Sequence, residues 1–251
     1  MYRSAIFSAI VVTVCLVMPV SGAEILNIDF SDSSQYILGG GPSDPPVFDP
    51  VTSVGKVHGR WNDEIQRLDP RGPSANGRQV VSGPDADAFL ELQNSNISFT
   101  TVYLGDLGGA AASGTPAGDF TLTVDYIRSK SLAGSGVDDA HLIAFRMRGG
   151  DTAPPAGTDK GGTLWAWGTG LTGGGQAPDT GTTWTTGYQV TFTDTVGYNY
   201  YALQWNWRCP NADWTNVHLA VDNIRLEGIP EPATMALMSL GGLALLRRRR
   251  T

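Results

Sequence analysis

Apolar and polar residues alternate along several short segments in the middle of the chain. In segment 119–126, DFTLTVDY, every even position is apolar and every odd position is polar. A period of two is typical of a β-strand that buries one face and leaves the other in solvent. The pattern recurs in segments 141–148 and 188–193. Further strands are predicted for six segments: 25–30, 89–92, 97–104, 164–167, 198–207 and 217–226.

These strands predict an all-β protein. The chain has 32 glycines and 15 prolines, and the central region shows no amphipathic helical repeat. Many short strands separated by turn residues favour one antiparallel sandwich or barrel. Two Gly- and Pro-rich stretches, 39–57 and 149–162, are predicted to be surface loops. We expect a single antiparallel β-sandwich domain over residues 24–228.

The last predicted strand contains a change of register. Its apolar residues occupy odd positions up to Val221 and even positions from Ile224, which predicts a β-bulge at Asp222 and Asn223. This pattern resembles the closing strand of extracellular jelly-roll modules, so a jelly-roll-like sandwich is expected. In some carbohydrate-binding families the acidic residue belongs to a structural calcium site, and the resemblance implies calcium at Asp222 with Asp29 as its neighbour. The alternative is a solvated Asp-Asn kink.

The N-terminal segment 1–23 has the layout of a secretory signal peptide. Arg3 stands at its head, an apolar stretch follows over residues 5–17, and small residues precede Ala23. The alternative, a membrane anchor, is disfavoured because a spanning helix needs about 20 apolar residues. We expect signal peptidase to cleave after Ala23 and the protein to be exported.

The charge of the remaining chain excludes one class of partner. Between residues 24 and 228 there are 12 basic and 23 acidic residues, a net charge of −11. Proteins that bind nucleic acid through its phosphates carry a basic patch or stripe, and none is visible here. Nucleic acid is therefore not an expected partner.

The sequence shows no recognisable catalytic constellation. Its three histidines, His58, His141 and His218, lack the spacing of a zinc site. Glycoside hydrolysis needs two suitably placed carboxylates, and no segment has the Glu-x-Asp-x-x-Glu pattern of laminarinase-like jelly-roll hydrolases. We expect no enzymatic activity and interpret the acidic clusters as solvated loop residues: Asp63 with Glu64, Asp85 with Asp87, and Asp138 with Asp139.

The tryptophans are candidates for ligand binding. The chain has seven, and two pairs are separated by one residue. Alternation places the members of a pair on one face of a strand, where flat indoles can stack on the C–H faces of sugar rings. The alternative is that these indoles fill the core, as large aromatic residues usually do. The candidates for glycan stacking are Trp165, Trp167, Trp205 and Trp207.

The segment 229–251 combines three parts that belong to membrane sorting. Its apolar run, residues 233–246, forms a helix of roughly 21 Å, shorter than the hydrocarbon core of about 30 Å. An arginine cluster after such a run holds the C-terminus in the cytoplasm. The run is preceded by Pro230, Glu231 and Pro232 and followed by Arg247, Arg248, Arg249 and Arg250.

This arrangement resembles the PEP-CTERM sorting domain. Members of that family are thought to be processed by an exosortase, a membrane protease or transpeptidase, in bacteria that make extracellular polysaccharide. The resemblance implies that the tail occupies the inner membrane only transiently, and that the protein reaches the cell envelope, cell surface or extracellular matrix. A plain tail anchor is the alternative.

Three functions are compatible with these features. The first is a non-catalytic surface protein that associates with exopolysaccharide or envelope glycans. The second is a structural or adhesive matrix protein that binds other proteins, and the third is a secreted polysaccharide-degrading enzyme. The tryptophan pairs favour the first, and the lack of a recognisable acid pair disfavours the third.

Overall fold

In the computed structural model, most of the described residues of the predicted domain form strands. The described residues are 23–37, 47–58, 64–66, 89–91, 95–107, 118–128, 142–158, 167–181, 183–209 and 219–229. The predicted signal peptide, apart from Ala23, and the tail from residue 230 onward lie outside the described residues. Within the described ranges, no helix is long and apolar enough to cross a membrane.

Sixteen strands and one short 3-10 helix, Ser33–Gln35, follow one another in the described ranges. The long strands are β1 (Ala23–Ile28), β7 (Ser95–Asp106), β8 (Gly118–Arg128), β9 (Leu142–Gly150), β14 (Thr185–Asp194), β15 (Tyr200–Cys209) and β16 (Leu219–Ile229). The short strands are β2 (Tyr36–Ile37), β3 (Val47–Phe48), β4 (Val57–His58), β5 (Glu64–Gln66), β6 (Phe89–Glu91), β10 (Gly157–Thr158), β11 (Thr169–Gly170), β12 (Thr172–Gly173) and β13 (Gly175–Gln176).

Fourteen of the strands form two sheets that face each other, and β3 and β10 pair separately. Sheet 1 has the order β12-β14-β8-β16-β6-β5, with β1 also paired to β16. Sheet 2 has the order β11-β9-β15-β7-β4-β2, with β13 also paired to β9. With β11–β13 counted as one strand, the sandwich has eight main strands: β1, β7, β8, β9, β11–β13, β14, β15 and β16. Numbered one to eight in this order, they are arranged 1-8-3-6 in sheet 1 and 2-7-4-5 in sheet 2. This is the jelly-roll order, and the predicted all-β sandwich is confirmed.

The core lies between the two sheets, where the alternation of the sequence placed it. Phe120, Leu122 and Val124 of β8 point inward from sheet 1, and Phe145 and Met147 of β9 point inward from sheet 2. Together with the inward residues of β14, β15 and β16 they form one continuous apolar cluster. The strand phases predicted from the sequence are therefore confirmed.

The predicted bulge in β16 is present. The pairing of β16 with β8 shifts register between Asp222 and Arg225, and Asn223 has a left-handed φ of 46°. Asp125 of β8 holds this bulge and one in β14, because its carboxylate accepts hydrogen bonds from Asn223 Nδ2 at 2.9 Å and from the Gly187 amide at 2.6 Å. One side chain thus fixes the irregular points of both neighbouring strands.

The two predicted loops contain short strands that the sequence pattern did not show. Within 39–57 the strand β3 forms, and within 149–162 the strand β10 pairs with it. Phe48 of β3 is fully buried against the outer side of sheet 2, beside Tyr103 and His58. A loop rich in Gly and Pro is therefore packed onto the sandwich here.

Segment 169–176 closes one side of the sandwich. Its first and last strands, β11 and β13, pair with β9 of sheet 2, and β12 between them pairs with β14 of sheet 1. Gly173 and Gly174 have φ values of 102° and 79°, and a Cβ on either would overlap a backbone carbonyl oxygen, of Thr191 or Phe145. Glycine is required because only it permits both the backbone conformation and the close approach.

Candidate functional site

The outer side of sheet 2 carries polar and aromatic side chains from neighbouring strands, and several of them are buried. Because odd residues of β9 and β15 face the core, their even residues face outward. Pairing aligns these outward residues with those of β7 in three successive rows: Gly150, Tyr200 and Asp106; Arg148, Ala202 and Tyr103; Arg146, Gln204 and Thr101.

Aromatic residues are clustered at one end of this outer face. Trp167 packs edge-on against Tyr103, with ring centroids 6.1 Å apart, and its Nε1 donates a hydrogen bond to the Thr152 carbonyl oxygen at 3.0 Å. The indole lies over Gly150, where a Cβ would stand 2.8 Å from Trp167 Cζ2. Trp167 and Tyr200 are both half-buried. The indole is therefore held in a fixed orientation and remains partly accessible.

The middle of the outer face carries polar groups at different depths. Gln204 and Thr101 are each 2% exposed, Arg148 is half-buried and Arg146 is exposed. Burial, and then the charge of Arg146, hold the pKa of Arg148 below its usual value. The two guanidinium groups share one face, so each adds to the positive potential that the other feels.

His58 lies beside this row, opposite Thr101 in the pairing of β4 with β7. It is 1% exposed and neither ring nitrogen has a hydrogen-bond partner. Its ring packs edge-on against Phe48 with centroids 5.4 Å apart. Burial, with a smaller effect of Lys56, lowers the pKa of His58 to about 4. The imidazole is therefore neutral at physiological pH and acts as an apolar packing group.

The outer face of sheet 1 differs in charge. Arg225 there bonds two carboxylates, Glu24 at 3.1 Å and Glu227 at 2.6 Å. A separate small cluster on this face contains Trp184, which packs edge-on against Phe89 with centroids 5.3 Å apart. The exposed cation of this face is neutralised by its own strands.

The structure separates the four tryptophan candidates. Trp205 is 1% exposed and belongs to the core, so its prediction as a glycan-stacking residue is corrected. Trp167 lies on the outer face of sheet 2, as described above. Trp165 and the side chain of Trp207 lie outside the described residues.

The two calcium candidates occupy different surroundings. Asp29 is exposed, and its Oδ1 accepts hydrogen bonds from the Ser31 amide and hydroxyl and from Gln35 Nε2. Asp222 is fully buried and lies opposite Asp125 across the strands. Among the described residues, no group of three or more His, Cys, Asp or Glu residues could hold a metal ion. Calcium at Asp222 and Asp29 therefore stays a prediction.

Sequence reasoning did not select Arg146, Arg148 or Tyr200. Alternation of β9 already placed both arginines opposite the core residues, so the signal for an outward face was present. What was missing was the pairing of β9 with β15, which brings Tyr200 alongside them. The predicted acidic clusters lie outside the described residues, except that the backbone of Glu64 belongs to β5.

Comparison with known families identifies the C-terminal segment. Residues 228–250 match the family described as the PEP-CTERM protein-sorting motif. The resemblance seen in the sequence is confirmed, and the chain carries this sorting motif. The motif marks an exported protein that is processed by an exosortase and delivered to the cell envelope or surface. No curated protein matches the chain.

Several solved structures show a distant likeness. The CBM22-1 and GH10 modules of Clostridium thermocellum endo-1,4-beta-D-xylanase 10B, complexed with xylohexaose, are 9% identical over 84% of this chain and 29% of that one, with a TM-score of 0.41. The Stig cyclase Fisc from Fischerella sp. TAU is 18% identical over 67% and 75%, with a TM-score of 0.37. An adhesin domain of Lys-gingipain from Porphyromonas gingivalis is 14% identical over 82% and 100%, with a TM-score of 0.36. TM-scores this low carry no argument about function.

Proposed function

We propose that this exported protein associates with extracellular polysaccharide through the outer face of sheet 2, without catalysing a reaction. The observation that carries the proposal is Trp167, a half-buried indole fixed by Thr152 and Tyr103 on a face that also carries polar side chains. That the protein lies outside the cell follows from the sorting motif at residues 228–250.

The chemistry of a sugar suits this combination of groups. A pyranose presents C–H groups on its ring face and hydroxyl groups around its edge, so it needs an aromatic surface beside hydrogen-bonding side chains. Tyr200 is half-buried in the row that Trp167 covers and supplies a hydroxyl group, and Asn206 is half-buried on the same face about 20 Å further along β15. Because the indole is already oriented, little conformational entropy is lost when a sugar stacks on it.

Binding is favoured over hydrolysis by the residues of this face. Glycoside hydrolysis uses two carboxylates on opposite sides of the scissile bond. The described rows of the outer face contain one carboxylate, Asp106, among aromatic, amide and guanidinium groups. A second carboxylate would have to come from elsewhere, whereas the indole of Trp167 and the hydroxyl group of Tyr200 already lie in one row.

The test compares two tryptophans on opposite faces. The full chain, purified in a mild detergent, is assayed for retention on a panel of neutral and acidic polysaccharides. We expect Trp167→Ala to weaken retention about tenfold, which corresponds to about 1.4 kcal/mol. Trp184→Ala is the matched control, because Trp184 is equally half-buried but lies on sheet 1. Near-ultraviolet circular dichroism verifies that both variants are folded.

Three results would contradict the proposal. If wild-type protein is retained by no polysaccharide, the protein is a structural or adhesive matrix component that binds other molecules. If Trp184→Ala abolishes retention and Trp167→Ala does not, the site lies on sheet 1. Release of reducing ends from a retained polymer would show that the protein is an enzyme.

A further inference from the structure

The two membrane-directed segments of the chain join the sandwich at the same place. The predicted signal peptide ends at Ala23, the first residue of β1, and Ala23 pairs with Gly228 of β16. Ile229 is the last residue of β16, and the sorting segment continues from it with Pro230. We call the end of the sandwich that contains Ala23, Gly228 and Ile229 the exit end.

The candidate sugar site lies at the exit end as well. Gly228 pairs with Phe120 of β8, and the Phe120 ring contacts that of Tyr201 in sheet 2, with centroids 5.2 Å apart. Tyr201 follows Tyr200, whose row is the one that Trp167 covers. Because the strands of two packed sheets run within about 30° of each other, Trp167 and Gly228 stand at nearly the same height along the strands.

The exit end presents apolar and aromatic side chains to solvent. The turn between β14 and β15 belongs to it, since Asp194 at the end of β14 pairs with Gly118 at the start of β8. In this turn Val196 is 59% exposed, and Trp167 and Tyr200 at the same end are half-buried. A bilayer surface accommodates such side chains, because Trp and Tyr rings favour the headgroup level of a membrane.

The tether between the sandwich and the apolar run is short. Only residues 230–232 separate the end of β16 from the run that begins at Ala233. The four peptide steps from Ile229 to Ala233 span at most about 14 Å, and proline rings fix φ at two of the three intervening residues. The headgroup layer takes up about 5–8 Å of this span. While the run lies in the bilayer, the exit end is therefore held within about 10 Å of the headgroups.

We propose that the exit end rests on the outer surface of the membrane while the C-terminal segment is inserted, so that the row of Trp167 binds polysaccharide only after this segment is removed. The inference rests on the proposed function and adds its regulation, because processing by the exosortase then makes the site accessible. Asp106, which is exposed in the same row, disfavours anionic lipids. The short tether therefore holds the exit end on a zwitterionic surface.

The first measurement locates the exit end by fluorescence. The exported chain with its C-terminal segment is inserted into phosphatidylcholine vesicles, either plain or with a nitroxide quencher on the headgroups. We expect Trp167→Phe to remove less emission in nitroxide vesicles than in plain ones, because the indole of Trp167 is already quenched there. Trp184→Phe is the control and should remove the same emission in both. Trp184 precedes β14, whose length places it about 30 Å from the exit end.

The second measurement asks whether the membrane controls binding. Binding of dextran, soluble xylan and alginate is compared for this protein in detergent, whose small micelle curves away from the tail, and in phosphatidylcholine vesicles. We expect binding to be at least about tenfold weaker in vesicles. A Gly-Ser spacer of about 20 residues between Ile229 and Pro230 spans about 25 Å and should restore binding. The same spacer placed after Arg250 is the matched control and should not restore it.

The outcomes separate this inference from the proposed function. Equal binding in vesicles and in detergent overturns the inference and leaves polysaccharide binding standing. Binding that stays weak with the spacer before Pro230 also overturns it, because the loss would then not come from the short tether. So does an equal effect of Trp167→Phe in plain and nitroxide vesicles. If none of the three polymers binds in detergent, the proposed function falls, and the regulation of the site falls with it.

Discussion

Asp194 fixes the turn between β14 and β15. It is 2% exposed, and its Oδ1 accepts hydrogen bonds from the amides of Val196 and Gly197. Its Oδ2 accepts from the Tyr198 amide and, at 2.6 Å, from the Tyr201 hydroxyl. Burial by itself would raise the pKa of Asp194, but these four hydrogen bonds outweigh it and the pKa lies below its ordinary value. The ionised carboxylate is the form that the fold stabilises.

Replacing this carboxylate is expected to destabilise the domain. Asp194→Ala leaves buried donors unsatisfied and should lower the free energy of unfolding by about 2–4 kcal/mol. The control is Asp179→Ala, since Asp179 is exposed and accepts one hydrogen bond, from the Gly181 amide; it should cost about 0.5 kcal/mol or less. Urea denaturation measures both. Equal losses would show that the turn does not depend on Asp194.

The lowered pKa also gives Asp194 a defined pH dependence. Because the folded pKa is below that of the unfolded chain, the stabilising contribution is fully present above about pH 4 and is lost as the pH falls through the folded value. The difference in unfolding free energy between wild-type protein and Asp194→Asn should therefore shrink below about pH 4. A difference that stays constant down to about pH 2 would contradict this account.

His58 is expected to make stability depend on pH in a separate range. Its pKa is lowered to about 4 in the fold, so the unfolded chain, with a His pKa near 6.5, binds more protons between these two values. Stability is therefore complete above about pH 6.5 and falls by up to about 3 kcal/mol towards pH 4. His58→Phe should flatten this part of the profile. Urea denaturation at about pH 7.5, 5.5 and 4.5 tests it, and an unchanged slope in the variant would exclude His58 as the cause.

At the scale of elements, segment 169–176 joins the edges of the two sheets. Its pairing alternates between β9 and β14, so it ties sheet 2 to sheet 1 without a long strand of its own. The sequence pattern predicted no strand in this segment, because two-residue strands are too short to show a period of two. Their positions are set by the edges that they meet.

Gly173→Ala should loosen this closure. The substitution combines a φ of 102° with overlap on the Thr191 carbonyl oxygen, and we expect it to cost about 2–4 kcal/mol. Gly170→Ala is the matched control, because a Cβ there meets nothing within 4 Å. Hydrogen exchange of β14 amides, together with urea denaturation, reports the effect. If both variants unfold like wild-type protein, the segment does not contribute to closing the sandwich.

At the scale of the whole molecule, the sorting motif and the sandwich have separate roles. The motif occupies residues 228–250 and overlaps the end of β16 by two residues. Delivery is therefore specified by a short linear segment, whereas binding is proposed for a face formed by residues from distant parts of the chain.

Changing the motif should alter processing and leave the domain folded. With Pro230 and Glu231 both replaced by alanine, we expect the C-terminal segment to be retained, because an exosortase would no longer recognise its substrate. The control replaces Arg247–Arg250 by lysines, which keeps the positive charge that sets membrane orientation. Intact-mass analysis of protein isolated from the producing cell distinguishes the two. Loss of the segment in the alanine variant would show that other residues direct processing.

The sequence by itself determined the long strands, most of their inward residues, the bulge at Asp222 and Asn223, and the sorting motif. It missed most of the short strands, and Trp167 of the predicted strand 164–167 lies in a bend. The features that it determined are local properties: alternation, a change of phase and a linear motif are all read from neighbouring residues. The local pattern also indicated that Trp205 faces the core, because its neighbours Gln204 and Asn206 are polar and lie on the opposite face of the strand.

Only the tertiary structure decided which outward residues share a surface. Alternation assigns each residue to one of two faces but does not say which strands become neighbours, and that is settled by packing of the whole core. The jelly-roll order places β15 between β9 and β7 and brings the loop residue Trp167 over Gly150. Tyr103, Trp167 and Tyr200 lie together because distant segments of the chain meet there, and no local pattern records such a meeting.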